Sequence, residues 1–258
     1  MFDLHNHILP GVDDGPSTME ESVEMALMAY EDGTRTIVAT PHNRDVNERS
    51  SISAVKSLVG CLNQEIQAKS IPLTVLLGME NHLEIDTVEQ ADKGSALPIE
   101  GTHYILIELP FEFYPFYAEE VLFKLQLNGL RPIVVHPERN VAIQEKPKIL
   151  ATLVSRGALA QVTAGSISGT LGSDHQKAAR ELLHQNLIHI IASDGHTARG
   201  IRTPLLSPGV AAVAKLIGDE AAHRMVEDIP QSILEDKAPD LGKLSSGASK
   251  KRWWNLRT

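Results

Sequence analysis

The chain has 258 residues, of which 42% are hydrophobic, and a formal net charge of −9. This size and composition fit one large folded domain, while the acidic balance argues against a nucleic-acid backbone as the main partner. One cysteine excludes an intrachain disulfide framework, and without a signal peptide or a run of about 18 apolar residues we expect a cytoplasmic protein that does not insert into membranes.

The first 14 residues carry an unusual group of polar side chains. Residues 2–4 predict a short strand that ends at His5 and His7, and Asp14 follows. Alternate side chains of a strand share one face, so the two imidazoles point the same way, as in half of a metal site. The competing interpretation is a polar N-terminus with two chance histidines.

The rest of the chain alternates between apolar runs and amphipathic segments. Ser17 and Glu20 fit a capping box that begins the first helix, which ends near Gly33. Seven strands are predicted, at 2–4, 36–40, 73–77, 104–109, 132–135, 159–162 and 188–192. Further helices are predicted at 48–69, 117–128, 147–156, 174–185 and 208–226. Near-continuous apolar strands joined by helices indicate a parallel sheet that is covered on both faces.

Histidines and acids recur at or just after the ends of these strands. Nine such residues come from six of the seven strand ends: His5, His7, Asp14, His42, Glu80, Glu108, His136, Asp194 and His196. In α/β barrels the carboxyl ends of the strands converge on one active site. Each residue alone fits a surface or capping role, but nine together predict a metal centre.

Nine ligands exceed what one ion needs, because zinc sites usually take four. The set therefore suits two or three ions, and imidazole with carboxylate but without thiolate suits Mn, Fe or Zn. Neighbouring metal ions can activate a bridging hydroxide for attack on phosphorus. Arg139 and Arg202 follow the histidine motifs closely enough to bind the phosphate, although a surface ion pair is the alternative for each.

The chain resembles the polymerase-and-histidinol-phosphatase (PHP) superfamily and, within it, the manganese-dependent protein tyrosine phosphatases of bacterial capsule and exopolysaccharide operons. Its motifs lie in order over about residues 1–235. They are His5-x-His7, Asp13-Asp14-Gly15-Pro16, Ala39-Thr40-Pro41-His42, Gly78-x-Glu80, Leu106-Ile107-Glu108, His136-x-Glu138-Arg139 and Ser193-Asp194-x-His196. The resemblance implies a PHP-type distorted (β/α)7 barrel over residues 1–236, with a metal site at the C-terminal ends of the strands and Mn²⁺ as the expected metal.

The resemblance also implies three ligand sets. One ion would bind His5 and His7 and share Glu80 and Asp194. A second would bind Glu80, Glu108 and His136, and a third would bind Asp14, His42 and His196. Glu108 and Asp14 stand where many PHP relatives have histidine, which separates the capsule-type phosphatases from the histidinol-phosphate phosphatases.

The implied substrate is a tyrosine-phosphorylated protein, a bacterial tyrosine kinase of polysaccharide export, whose dephosphorylation would regulate capsule synthesis. One alternative is a small-molecule phosphatase of the same superfamily, acting on histidinol phosphate or nucleotides. Another is a metal-stabilised binding module without turnover. Whether copies of the chain form a homo-oligomer is left open.

Two further features bear on mechanism and domain organisation. Cys61 lacks the arginine six residues later that cysteine-dependent tyrosine phosphatases use, since Gln67 stands there, and we interpret it as a small buried thiol on a helix. Residues 237–258 carry a net charge of +5, leaving −14 for the rest, and predict a basic flexible tail. In that tail, Trp253 and Trp254 fit either a mobile terminus or a docking segment.

Overall fold

A computed structural model describes residues 1–242 of the chain. Its strands are β1 (Phe2–Asn6), β2 (Thr36–Ala39), β3 (Thr74–Leu77), β4 (Glu80–His82), β5 (Tyr104–Glu108), β6 (Arg131–Val135), β7 (Leu159–Thr163) and β8 (Ile190–Ala192). Its helices are α1 (Met19–Glu31), α2 (Asn43–Arg49), α3 (Ile52–Ala68), α4 (Thr87–Asp92), α5 (Ala118–Leu127), α6 (Val141–Glu145), α7 (Lys148–Ser155), α8 (Ala164–Ser168), α9 (Ser173–His184), α10 (Ser207–Ile217), α11 (Asp219–Arg224) and α12 (Asp228–Leu234). A 3₁₀ turn, Pro137–Arg139, follows β6.

The strands form two parallel sheets in the order of the chain. One contains β1, β2 and β3, and the other contains β4 to β8. Two single parallel bridges join the sheets, one between His42, which follows β2, and Glu80, and one between Asn6 and Gly195. All strand ends that carry predicted site residues therefore lie on the same side of the two sheets.

Two apolar clusters hold these layers together. One packs β5 to β8 against α5, α7, α9 and α10, and the other packs β2 and β3 against α1 and α3. Successive residues of β2 divide between them, because Ile37 faces the α1–α3 side and Val38 joins the cluster of the other sheet. This alternation is the period of two expected for a strand buried on both faces.

The predicted count of seven strands is one too few. The third predicted strand corresponds to β3, and a further short strand, β4, follows it. β3 pairs with β2, whereas β4 pairs with β5. Gly78 lies between them, and a Cβ on this residue would stand 2.9 Å from Val38 Cγ1. Because Gly78 has no side chain, the backbone can pass close to Val38 at the point where the chain leaves one sheet and enters the other.

Three helix predictions also need correction. The capping box of α1 uses Thr18 and Glu21, one residue later than the predicted Ser17 and Glu20. The predicted helix 48–69 is two helices, since Ser50 is extended and the Ser51 hydroxyl accepts from Ala54 N to begin α3. The predicted helix 208–226 divides into α10 and α11 at Gly218, whose φ of 100° ends the first.

The prediction of a buried thiol is wrong. Cys61 lies on the exposed side of α3, while Val55, Val59, Leu62 and Ile66 fill its buried side.

None of the helices between residues 1 and 242 combines the length and apolar composition needed to cross a bilayer. Most of the predicted basic tail, including Trp253 and Trp254, lies outside the described residues.

Candidate metal centre

The nine predicted ligands converge at the carboxyl ends of the strands. His5 and His7 come from the end of β1, His42 follows β2, Glu80 begins β4 and Glu108 ends β5. The other four lie in loops, and they are Asp14 before α1, His136 after β6, and Asp194 and His196 after β8. Their contacts with one another connect all nine into a single group.

Glu80 lies at the middle of this group. Its Oε2 stands 3.0 Å from His42 Nδ1, 3.2 Å from His7 Nε2 and 3.4 Å from His5 Nε2. Its Oε1 lies 2.6 Å from His136 Nε2, which is itself 3.9 Å from Glu108 Oε1. Burial opposes ionisation of Glu80, yet the charges of His5 and His136 hold its pKa well below the ordinary value.

Asp194 and Asp14 extend the group on the other side. Asp194 Oδ1 lies 3.7 Å from His5 Nε2 and 3.6 Å from His7 Nε2. Asp14 Oδ1 lies 3.0 Å from His196 Nε2 and 3.5 Å from His42 Nε2. Hydrogen bonds from these two histidines lower the pKa of Asp14, although it is half exposed.

Within residues 1–242, three overlapping groups place one ligand atom per residue within 4.8 Å of the others. They are His7 with Asp14, His42 and His196; His5 with His7 and Glu80; and His42 with Glu80 and Glu108. The first contains the whole of one predicted ligand set. The second contains most of another, while His136 reaches the third through Glu80. The assignment of ligands to individual ions stays a prediction.

The orientation of the imidazoles fits a cation. His5 Nδ1 lies 3.0 Å from Gln161 Oε1, His7 Nδ1 lies 2.7 Å from Asp13 Oδ2, and His196 Nδ1 lies 2.9 Å from the Asp194 carbonyl oxygen. Each acceptor holds the ring proton on Nδ1, which leaves Nε2 with a lone pair. His5 Nε2 and His7 Nε2 are only 3.2 Å apart, and the buried His196 Nε2 faces Asp14 Oδ1 at 3.0 Å.

The protonation of these rings points the same way. Burial lowers the pKa of His7 and His42, but the neighbouring carboxylates prevail and raise them to about 10 and about 11. Asp13 and Glu80 act on His7, and Asp14 and Glu80 act on His42. The carboxylates therefore demand positive charge at these nitrogens, and a divalent cation supplies it as well as protons do.

Arg139 and Arg202 lie beside Asp194. Arg139 donates from one guanidinium nitrogen to Asp194 Oδ2 at 3.0 Å, and Arg202 donates to Asp194 Oδ1 at 3.2 Å and to Asp14 Oδ2 at 3.3 Å. Both side chains remain partly exposed. The two arginines thus stand at the edge of the ligand group, and their binding of phosphate stays a prediction.

Several residues that support the site escaped the sequence analysis. Asp13 and Gln161 orient His7 and His5, and His82 Nδ1 donates to Glu108 Oε2 at 2.7 Å. Asp13 adjoins Asp14, so the acidic pair was a usable signal for it. Gln161 is a buried polar residue inside the apolar strand β7, and that contrast was its signal.

A buried polar network underlies the loop that carries Asp194. Asp3 accepts from Ser193 N at 2.9 Å and from Ser193 Oγ at 2.5 Å, and Asn6 Nδ2 donates to Asp3 Oδ2 at 3.1 Å. Asp194 has a φ of 51°, and His136 has a φ of 32°. Left-handed backbone at non-glycine residues is strained and gathers at functional sites, and this network holds Asp194 in that conformation.

Comparison with known proteins places this centre in a family. The family "Capsular polysaccharide synthesis, CpsB/CapC" matches residues 1–235. The chain belongs to the CpsB/CapC family. It is 38% identical over 228 residues to the tyrosine-protein phosphatase YwqE of Bacillus subtilis, covering 88% of this chain and 89% of that protein.

Other members of the family agree. The putative tyrosine-protein phosphatase CapC of Staphylococcus aureus is 36% identical over 197 residues, covering 76% of this chain and 77% of CapC. A solved structure also matches the chain, with a TM-score of 0.88 at 36% identity. It belongs to a set described as crystal structures of YwqE from Bacillus subtilis and CpsB from Streptococcus pneumoniae, metal-dependent tyrosine phosphatases. The match covers 93% of this chain and 96% of that one. The family resemblance stated from the motifs is therefore confirmed.

Proposed function

We propose that this chain is a metal-dependent phosphotyrosine-protein phosphatase of capsular or exopolysaccharide synthesis. The observation that carries the proposal is the convergence of five imidazoles and four carboxylates around Glu80 beside two arginines. The proposal draws support from relatives of the CpsB/CapC family that are named tyrosine-protein phosphatases. The substrate that we propose is a tyrosine-phosphorylated bacterial tyrosine kinase. We propose that the protein acts in the cytoplasm.

The metal we propose is Mn²⁺, bound as two or three ions, with Fe or Zn as the alternatives. When bound, such cations lower the pKa of water toward neutrality and withdraw charge from a phosphoryl group. His5, His7, Glu80 and Asp194 would hold one side of the cluster, and Asp14, His42 and His196 the other. Glu108 and His136 would complete it next to Glu80.

The arginines supply the phosphate contacts in this proposal. Arg139 and Arg202 would exchange part of their pairing with Asp194 for the non-bridging phosphate oxygens, since guanidinium groups bind such oxygens in pairs. That exchange would leave Asp194 to the cations. No thiolate takes part, because Cys61 lies on the exposed side of α3 and outside the ligand group.

We also propose that the two sheets form one distorted barrel of the PHP type. The two bridges between the sheets support this closure, as does the packing of Leu4 and Val38 into the cluster of the other sheet. In a barrel of this kind the carboxyl ends of the strands form one active-site face. Such a face is where the nine ligands lie.

Hydrolysis of a phosphotyrosine peptide tests the function. We expect chelation to abolish turnover and Mn²⁺ to restore it, with Glu80→Gln losing at least about 100-fold because the residue contacts four of the imidazoles. Cys61→Ser is the control and should keep full activity. Turnover that survives chelation, or that disappears in Cys61→Ser, would contradict the proposal. Faster turnover of histidinol phosphate than of the peptide would favour the small-molecule alternative.

A further inference from the structure

The loop between β5 and α5 exposes several aromatic side chains. Phe111 is 40% exposed, Phe113 56% and Phe116 92%. Large apolar side chains that gather on a surface mark binding sites more often than isolated ones do. This loop, residues 109–117, is called the aromatic loop below. It follows Glu108 directly, so it begins at the metal centre.

Phe111 is the member of the loop that contacts the centre. Its ring centroid lies 5.6 Å from that of His136, and the Arg139 guanidinium carbon lies 4.4 Å from the ring centroid of Phe111. The ring therefore stands between a proposed metal ligand and a proposed phosphate-binding arginine. Since Phe111 is also 40% exposed, its ring forms an apolar wall beside the place where the phosphate would lie.

Hydrogen bonds hold this wall in position without a ligand. The buried Asn140 donates from Nδ2 to the carbonyl oxygens of Pro110 at 2.5 Å and Phe113 at 2.9 Å. Val141 N donates to the carbonyl oxygen of Phe111 at 2.8 Å. Because the backbone on both sides of Phe111 is tied down, little conformational entropy is lost when a ligand packs against its ring.

The chemistry of an aryl phosphate fits this arrangement. A phosphate bound at Arg139 would place the group on its ester oxygen next to the ring of Phe111. An aromatic ester group could pack against that ring, because two aromatic rings attract each other at centroid distances of 4.5–7 Å. We infer that Phe111 packs against the aromatic ring of the substrate and so selects aryl over alkyl phosphates. This inference rests on the proposed function and names the residue that determines its substrate class.

A purely structural role would give a different result. If Phe111 served only to hold Arg139 through the cation–π contact, its loss would weaken every phosphate ligand alike. A direct contact with the substrate ring affects only ligands that carry such a ring. Two non-hydrolysable phosphonates separate these roles, because benzylphosphonate has an aromatic ring and ethylphosphonate does not.

The test is calorimetric binding of both phosphonates to the Mn²⁺-loaded protein. The wild type should bind benzylphosphonate more tightly than ethylphosphonate. Phe111→Leu should lose roughly 3- to 10-fold in affinity for benzylphosphonate, as expected for one aromatic pair, and keep its affinity for ethylphosphonate. Phe111→Tyr, which retains the ring, should keep the preference. Phe123→Leu is the matched control, since Phe123 is exposed on α5 away from the centre, and it should match the wild type.

Equal losses for both phosphonates in Phe111→Leu, or no preference for benzylphosphonate in the wild type, would overturn the inference. Binding requires no turnover, so the outcome is separate from that of the proposed function. A wild type that fails to hydrolyse the phosphotyrosine peptide would end the proposed function, while the phosphonate comparison would still decide the role of Phe111. Metal content and circular dichroism of each variant verify that it is folded and loaded.

Discussion

Three histidines of the metal centre have one ring nitrogen bound to the protein and the other turned toward the carboxylates. The partners differ in kind, since His5 uses the amide of Gln161, His7 the carboxylate of Asp13 and His196 a backbone carbonyl. Such partners fix the tautomer and the ring orientation and make the free nitrogen a better ligand. The orienting residues should therefore affect metal affinity without contacting metal.

Replacement of Asp13 tests this role. Asp13→Asn keeps the shape of the side chain but removes the charge that holds the proton on His7 Nδ1, and we expect Mn²⁺ affinity to fall about 10- to 100-fold. The measurement is a metal titration of chelated protein. Asp45→Asn is the control, because among residues 1–242 the ion pair of Asp45 is the one with Arg49 on α2. Unchanged affinity in Asp13→Asn would show that the orientation of His7 does not depend on this carboxylate.

The convergence of the candidate ligands at the strand ends was predicted from the sequence, but the residues that support them were not predicted. A histidine or acid after an apolar run has a visible position, and nine such positions point to one face. Gln161 acts through a contact across the fold, since it meets His5 from 156 positions away, whereas Asp13 lies only six residues from His7. The exposure of Cys61 was predictable, because the helical spacing of Val55, Val59, Leu62 and Ile66 marks the buried side of α3 and Cys61 does not share it.

His189 provides a test of pH dependence away from the centre. It lies just before β8, and its Nδ1 accepts a hydrogen bond from Ala160 N at 3.1 Å. Burial lowers the pKa of His189 to about 4. Between about pH 4 and 6.5 the unfolded chain therefore binds a proton that the folded chain does not, so stability falls as the pH is lowered through this window.

The His189→Gln variant keeps an acceptor for Ala160 N but cannot titrate. In chelated protein we expect its free energy of unfolding to depend less on pH between 6.5 and 4 than that of the wild type, by at most about 3 kcal/mol. Urea denaturation at several pH values measures this, and the other titrating groups cancel in the comparison. Parallel pH profiles for the two proteins would contradict the assignment.

At the scale of elements, Asn140 links the aromatic loop to α6. Its Oδ1 accepts from Ile143 N at 2.9 Å as the N-cap of α6, while its Nδ2 donates to the loop. We expect Asn140→Ala to lower the free energy of unfolding by about 2–4 kcal/mol, since it removes a cap and leaves buried carbonyl groups without a donor.

Ser51→Ala is the matched control for this prediction. Ser51 caps α3 at an exposed site, and in the described part of the chain its other side-chain contact is with the neighbouring Ser53, so its loss should cost about 1 kcal/mol. Chemical denaturation of both variants in the metal-loaded state gives the comparison. Similar losses for the two variants would mean that the loop is not held by Asn140.

The predicted helix boundaries agree with the structure where the sequence offers only one set of start and stop signals. Helices α5, α7 and α9 lie within one residue of their predicted limits. The start of α1 was ambiguous because Ser17 with Glu20 and Thr18 with Glu21 both fit a capping box, and Glu21 Oε2 accepts from both Ser17 N and Thr18 N. The division between β3 and β4 at Gly78 depends on the close approach of Val38. Val38 belongs to β2, so the sequence around Gly78 does not reveal this contact.

At the scale of the whole molecule, the candidate metal centre takes its residues from both sheets. The donors from β1 and β2 belong to one sheet, and Glu80, Glu108 and Asp194 belong to the other or follow it. Ions bound to donors of both sheets stabilise only the folded chain, so their binding energy adds to its stability. At an ion concentration 100 times the Kd this amounts to about 2.7 kcal/mol.

We therefore expect chelation to lower the Tm of the wild type by roughly 5–10 °C, given the size of the domain. Re-addition of Mn²⁺ should restore the Tm. In Glu80→Gln the chelation shift should be much smaller, because the residue that contacts both sheets' histidines has lost its charge. A wild-type Tm that is unaffected by chelation would mean that no ion joins the two sheets.

The most direct test of the metal centre is a crystal structure of the Mn²⁺-loaded protein with anomalous diffraction recorded at the manganese edge. We predict two or three anomalous peaks around Glu80, each roughly 2.0–2.4 Å from donor atoms among the nine residues. His5, His7 and Glu80 should each bind at least one ion. An active, fully loaded protein whose anomalous peaks lie away from these side chains would contradict the account.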